Sequence, residues 1–194
     1  MRIVLATNNK NKKEEYLQLS RVLKAALRFA TLDDYNIRSD PSENGSSYLE
    51  NALIKARAAA QLISEPVLAD DTGIEIEKLG WGRPGIQSHR YLDSINFDLT
   101  KLALETLGSR ACFHCTIVYI PAGDEPIVAT GSLKGSIVLP RGKNGFGYDA
   151  IFKPDGSDKT LAEMTAAEKN KVSHRRQALE NLLSKLIPGT RLKM

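Results

Sequence analysis

Ile3-Val4-Leu5-Ala6 is an unbroken apolar run that gives way at once to the polar Thr7-Asn8-Asn9-Lys10. A short apolar run bounded by a polar turn reads as a buried strand, here Arg2 to Ala6. Apolar residues then recur at helical spacing among charged ones, which predicts an amphipathic helix from about Asn11 to Arg28. Asp40 to Ser47 (DPSENGSS) is polar throughout and reads as a loop. Ser47 with Glu50 three residues on is a capping-box pattern, opening a helix to about Ser64 that Glu65-Pro66 ends. Val67-Leu68-Ala69 reads as a strand delivering Asp70-Asp71 to a turn at Thr72-Gly73. Ile74 and Ile76 then alternate with Glu75 and Glu77 as the return arm of a hairpin.

Further along, Gly80 to Gly85 reads as a loop and Phe97 to Leu107 as a helix. Cys112–Ile120 and Ile127–Leu139 read as strands, with Gly131 and Gly135 allowing bends or bulges. Ala150-Ile151-Phe152 is strand-like. Thr165 with Glu168 is a second capping-box pattern, starting a last helix to about Leu186 that Pro188-Gly189 stops. There is no repeat, low-complexity tract or linker. Strand–helix units mixed with hairpins predict an α/β fold, as a single domain over residues 1–194.

Composition narrows the class. Hydrophobic residues make up 42% and charged residues 26% of 194, an ordinary globular balance that supports one good core or two small lobes. No apolar run has membrane length, and the N-terminal one is too short for a signal-peptide core, so a cytoplasmic protein is expected. The net charge is +4, with acids and bases interspersed. That suits a small anionic ligand better than a nucleic acid, for which an aromatic-interleaved basic block is missing. Cys112-Phe113-His114-Cys115 has the look of a metal or redox motif. On a strand, however, residues three apart face opposite sides, and no second cysteine pair completes a site.

The residues that can carry chemistry fall in four places. Between Gly142 and Ala178, a glycine-flanked Phe146 (Gly145, Gly147) is followed by Tyr148 and Asp149, then by Lys169, Ser173, His174 and Arg175. A flat ring, a carboxylate and several donors suit a planar, polar, charged ligand such as a nucleotide. Phe146 can stack on a base, a contact of about 1–3 kcal/mol. Arginine donors suit a purine O6, and Asp149 can accept from a ring N–H. Taken singly, Phe146 reads as core and His174 as an ordinary histidine; the group together favours function.

Asp70-Asp71 can hold a magnesium ion or polarise a water, and adjacent strand residues diverge, so their tasks should differ. An Asx-type turn is the structural alternative. Asp71-Thr72-Gly73 also spells the aspartic-protease triplet, but that chemistry needs two such carboxylates sharing a proton, and the chain has one. Glu43 lies in the loop before the second helix, within reach of a metal, whereas Glu50 is accounted for by capping. Asn51 and Lys55 are four apart on one helix face. Lastly Thr7, Asn9 and Lys12 place a hydroxyl, an amide and an ammonium near a helix start, which suits phosphate oxygens; a solvated first turn is the alternative.

These pieces occur in an order that resembles the inosine triphosphate pyrophosphatase family, the XTP/dITP diphosphatases. The series runs Leu5-Ala6-Thr7-Asn8-Asn9 with Lys12 and Glu15, Glu50-Asn51-Ala52 with Lys55-Ala56, and Ala69 to Gly73. It continues through Pro84-Gly85 with Ser88, Arg90 and Tyr91, then Phe113-His114-Cys115, Gly145 to Asp149, and Glu168-Lys169 with Ser173-His174-Arg175. The resemblance implies an elongated mixed sheet flanked by helices, with two lobes and a central cleft. It implies a Mg²⁺-dependent homodimer that splits ITP, dITP and XTP into the monophosphate and pyrophosphate, without nucleic-acid or membrane partners. By position, Asp71 resembles the general base, Glu43, Asp70 and Asp71 the metal-site carboxylates, and Thr7, Asn9, Lys12 and Lys55 the triphosphate contacts. Thr72 stands where many relatives have serine. Phe146, Gly147, Tyr148, Asp149, Lys169, Ser173, His174 and Arg175 resemble the base pocket. The chain departs from the family at Asn8, where glycine is common, at His89, where a small residue is common, and at Ala150, where proline is common.

Overall fold

The computed structural model describes residues 2–22 and 27–186. In chain order the elements are β1 (Arg2–Leu5), α1 (Lys10–Val22), β2 (Arg28–Thr31), α2 (Tyr48–Ala60), β3 (Val67–Ile76), β4 (Pro84–Gly85), α3 (Ser88–Ser94), α4 (Leu99–Thr106), β5 (Arg110–Ile120), β6 (Ile127–Ile137), β7 (Phe152–Pro154), α5 (Ala166–Val172) and α6 (His174–Leu186), with single 3₁₀ turns at Leu32–Tyr35 and Glu77–Leu79. The strands form one mixed sheet in the order β2-β1-β3-β5-β6-β7, with β4 paired to β3. β1 runs parallel to β2 and β3, while β4 and β7 are antiparallel to β3 and β6. The expected α/β class with helices flanking a mixed sheet is what forms.

The chain divides into two compact units. The first takes the residues up to Asp71, Cys115–Gly131 and the chain from Arg176; the second takes Thr72–His114 and Ser132–Arg175. In the first, β1 is apolar at every position after Arg2 because both of its faces are covered. Ile3 and Leu5 join Leu68, Tyr16 and Leu19 of α1 and Leu179 and Leu182 of α6. Val4 joins Val67 and Ala69 with Ala52, Ala56 and Ala59 of α2. The alanines recur at i, i+4 and i+7, so one small-residue face of α2 lies on the sheet. The second unit packs Ile74, Ile76, Leu92, Leu102, Ile137 and Leu161 around Phe113 and Phe152, whose rings meet edge to face at 4.8 Å.

Several expectations need correction. The first helix is described as far as Val22, and Arg28, expected at its end, instead begins β2 and pairs with Arg2; an edge strand of four residues has too short a pattern to read against a helical background. There is no hairpin at Thr72-Gly73. β3 runs unbroken from Val67 to Ile76, and Gly73 serves close approach rather than turning, since a Cβ there would lie 2.1 Å from the Gly85 carbonyl oxygen. The return strand is β4, where Ile74 and Glu75 pair with Gly85 and Pro84. Gly73→Ala is therefore expected to cost about 1–3 kcal/mol by overpacking, measured as a lower denaturation midpoint; an unchanged midpoint would show that β4 yields freely.

Other boundaries shift by local causes. α2 ends at Ala60, before Ser64. Ser47 caps α2 by accepting from Glu50 N, but the Glu50 carboxylate turns to the backbone and hydroxyl of Ser46 instead of completing the box. Asp98 caps α4, which begins at Leu99, and Ser88–Ser94 adds a helix not anticipated. Ala150 and Ile151 lie in a turn, so β7 starts only at Phe152. The Thr165–Glu168 box is complete. The helix it opens breaks at Ser173, whose extended backbone (φ −65°, ψ 145°) separates α5 from α6. Pro188-Gly189 lies outside the described residues.

Candidate active site

Two sets of polar residues are assembled, one in each unit. In the first, the pleat of β3 decides everything. Leu68 faces α1 while Val67 and Ala69 face α2, so Asp70 falls on the α1 side and Asp71 on the α2 side. Lys12 of α1 meets Asp70 Oδ2 at 2.9 Å. Lys55 of α2 donates to Asp71 Oδ1 at 3.1 Å and to Glu43 Oε2 at 2.7 Å. Asp70 and Asp71 are 1% and 7% exposed, a degree of burial that carboxylates tolerate only with such partners. The two acids thus face different helices and meet different lysines.

Thr7 and Asn9 organise the turn into α1. Asn9 N donates to Thr7 Oγ1 at 3.2 Å, and Asn9 Oδ1 accepts from Lys12 N at 3.1 Å, the side-chain cap of the helix start. Asn51 completes the set. Its amide donates to Asp71 Oδ2 at 3.4 Å, and its oxygen accepts from Gly45 N at 2.9 Å, tying the loop after Glu43 to the acid on β3. Sequence reasoning placed Asn51 on the Lys55 face but gave it no role; the four-residue spacing was the available signal.

Burial pushes the Asp71 carboxyl above its ordinary value, and Lys55 and Lys12 only partly offset this. For Lys55, burial pulls the ammonium down, but Asp71, Asp70 and Glu43 together outweigh it and the net direction is up. A carboxylate with a raised pKa beside a firmly charged ammonium is a better proton acceptor near neutrality than an exposed aspartate.

Among the described residues no three His, Cys, Asp or Glu side chains cluster as a ready metal site. Glu43 and Asp71 converge on Lys55, and Asp70 turns to Lys12. This donor set still fits magnesium, which takes one or two carboxylate oxygens and completes its shell with water and substrate phosphates. Cys112 and Cys115 are both buried, and no disulfide joins them.

In the second unit, the Gly145–Asp149 turn is closed by its own acid. Asp149 Oδ2 accepts from Phe146 N at 2.8 Å and from Lys169 Nζ at 2.6 Å. Gly145 (φ 74°) and Gly147 (φ 60°) take left-handed backbone, and a Cβ on Gly145 would fall 2.1 Å from Asp149 Oδ2. Lys169 Nζ also lies 4.8 Å from the centre of the Phe146 ring, so Phe146, Asp149 and Lys169 form one cluster. Tyr148 donates its phenol proton to the Ser88 carbonyl at 2.7 Å, and burial raises its pKa. Ser88, not assigned a role from sequence, also bonds Ile74 N and the Gly85 carbonyl through its hydroxyl. Arg175, 1% exposed, reaches Thr72 Oγ1 with Nη2 at 3.5 Å. The His174 ring stacks on Phe113 at 4.7 Å and 5°, and Ser173 is buried at the α5–α6 break.

Comparison with known proteins covers nearly the whole chain. The sequence profile of the Ham1 family matches residues 3–185. The chain is 42% identical to the dITP/XTP pyrophosphatase of Halalkalibacterium halodurans, over 92% of this chain and 95% of that protein. Among solved structures it is similar to a HAM1 protein from Coxiella burnetii, with TM-score 0.79, 38% identity and coverage of 96% and 98%. It is also similar to the nucleoside-triphosphatase / dITP/XTP pyrophosphatase of Mycobacterium abscessus, with TM-score 0.68, 37% identity and coverage of 94% and 99%.

Proposed function

The chain belongs to the Ham1 family, and from that membership we propose that it hydrolyses non-standard purine nucleoside triphosphates (ITP, dITP and XTP) to the monophosphate and pyrophosphate. It is a hydrolase acting on an acid anhydride. The observation that carries the mechanistic reading is the convergence of Glu43 and Asp71 on Lys55 Nζ. A buried ammonium between two acids is a place where triphosphate charge and an activated water can both be managed.

In this reading Asp71 takes a proton from water as the water oxygen bonds the α-phosphorus. The bond from that phosphorus to the bridging oxygen breaks, and pyrophosphate leaves with the electron pair. Lys12 and Lys55 offset the charge that builds on the phosphate oxygens, while Thr7 and Asn9 set the turn against the triphosphate. Glu43, Asp70 and Asp71 would hold Mg²⁺, which when bound neutralises the triphosphate and stabilises the leaving pyrophosphate. Phe146 stacks on the base. Thr72, Gly147, Tyr148, Asp149, Lys169, Ser173, His174 and Arg175 shape its pocket, and donors directed at O6 disfavour the adenine amino group. An unpaired buried donor costs about 1–3 kcal/mol, enough for roughly ten- to hundredfold discrimination.

The same reading makes the protein a single functional domain acting on free nucleotides as a cytoplasmic homodimer. No helix among the described residues is long and apolar enough to cross a membrane. The test is turnover of ITP, XTP, GTP, ATP and dUTP with and without Mg²⁺, with pyrophosphate and single phosphate measured separately. Mg²⁺-dependent pyrophosphate from ITP and XTP, with little from GTP or ATP, is the expected result. Pyrophosphate from dUTP alone would overturn the base assignment.

A further inference from the structure

The Asn8 side chain reaches out of the turn between β1 and α1. Its Nδ2 donates to the Ser39 carbonyl at 3.0 Å and lies 3.4 Å from Asp40 Oδ1. Its backbone is not left-handed; among the described residues the left-handed positions outside glycine are Asn36, Asn96 and Phe97. The turn itself therefore demands neither glycine nor asparagine at this point, and the contact belongs to the side chain. A glycine, common here in the family the sequence resembles, could not make it.

What Asn8 holds is the start of the segment that carries Glu43. Residues 37–47 form neither helix nor strand. Their far end is fastened to α2, by Lys55 on Glu43, by Asn51 on Gly45 and by Glu50 on Ser46. Their near end lies against the start of α1, where Lys13 pairs with Asp33 just upstream and Asn8 takes Ser39.

We propose that Asn8 is a positioning residue that couples the Glu43 loop to the turn bearing Thr7, Asn9 and Lys12. This rests on the reading of those residues as the triphosphate and metal groups. A loop fastened at both ends before substrate arrives has less freedom left to lose on binding, so the tether acts on affinity rather than on the chemical step. Asp at this position would replace the donor by a carboxylate facing Asp40 and the Ser39 carbonyl, and so repel what Asn8 holds.

The experiment is Asn8→Gly and Asn8→Asp in the full chain, read in two ways. Hydrogen exchange without nucleotide should show the hydrogen-bonded amides of Asn44 and Gly45 exchanging about three- to tenfold faster in both variants, the range set by one net hydrogen bond. Steady-state kinetics with ITP and Mg²⁺ should show KM raised by a similar factor, with kcat within about twofold of the parent. Unchanged exchange would overturn the tether, and so would a lower kcat at unchanged KM. Failure of the parent protein to turn over ITP would instead overturn the functional reading, because the exchange measurement does not depend on it.

Discussion

Asp71→Asn is expected to lower kcat for ITP by about 10²–10⁴-fold, the usual worth of a positioned general base, while the protein still folds and binds nucleotide. The amide keeps the shape of the carboxylate and an oxygen for Lys55 Nζ, now 3.1 Å from Asp71 Oδ1, but cannot take a proton from water. The parent enzyme should lose activity as pH falls through the Asp71 pKa, and burial sets that limb above the ordinary aspartate range. The sign for stability is the opposite of the familiar paired carboxylate. A folded-state pKa above the unfolded one means the native state holds the proton more tightly, so this group favours folding at low pH and loses that contribution as pH rises through the folded value. The Asn variant should therefore show no loss of stability from this group at neutral pH, together with a flattened acidic limb in any residual activity. Full turnover in Asp71→Asn would sink the general-base assignment.

Lys169→Met should give the largest loss of stability, about 3–5 kcal/mol, the range for breaking one side of a buried ion pair. Lys169 and Asp149 are 6% and 4% exposed and meet at 2.6 Å. Removing the ammonium leaves the Asp149 charge desolvated, with the Phe146 amide as a donor. The double variant Lys169→Met, Asp149→Asn should recover much of the loss, because a neutral amide needs no counter-charge yet can still accept from Phe146 N. Denaturant midpoints of the two single variants and the double variant form the cycle. Additive losses would show that the pair is not coupled. The same lysine sits over the Phe146 ring, so Lys169→Met should also loosen the Gly145–Asp149 turn, visible as faster amide exchange there.

The residues of the candidate site can be named from the sequence, but the contacts among them cannot. Asp70-Asp71 announced two tasks because the pleat turns neighbours apart, and the contacts with Lys12 and Lys55 follow that rule. At Thr72-Gly73 the local pattern alone favours a turn. Only the carbonyl of Gly85, brought in by β4, shows that this glycine makes room rather than a bend. Asn51 was visible on the Lys55 face, yet its bridge from Gly45 to Asp71 joins positions that no periodicity links. β2 escaped notice because four residues at a sheet edge carry too little alternation to stand against the helix before them.

By itself, then, the sequence determined which segments are strands and helices wherever a face is apolar over several residues, and which ordered set of polar residues marks the family. Local pattern suffices there because burial selects the same residues in any compact arrangement. The tertiary structure alone decided which acid meets which lysine and why Gly73 must lack a side chain. Those outcomes depend on distances of a few ångströms between residues far apart in the chain, and such distances exist only once the sheet has set its register.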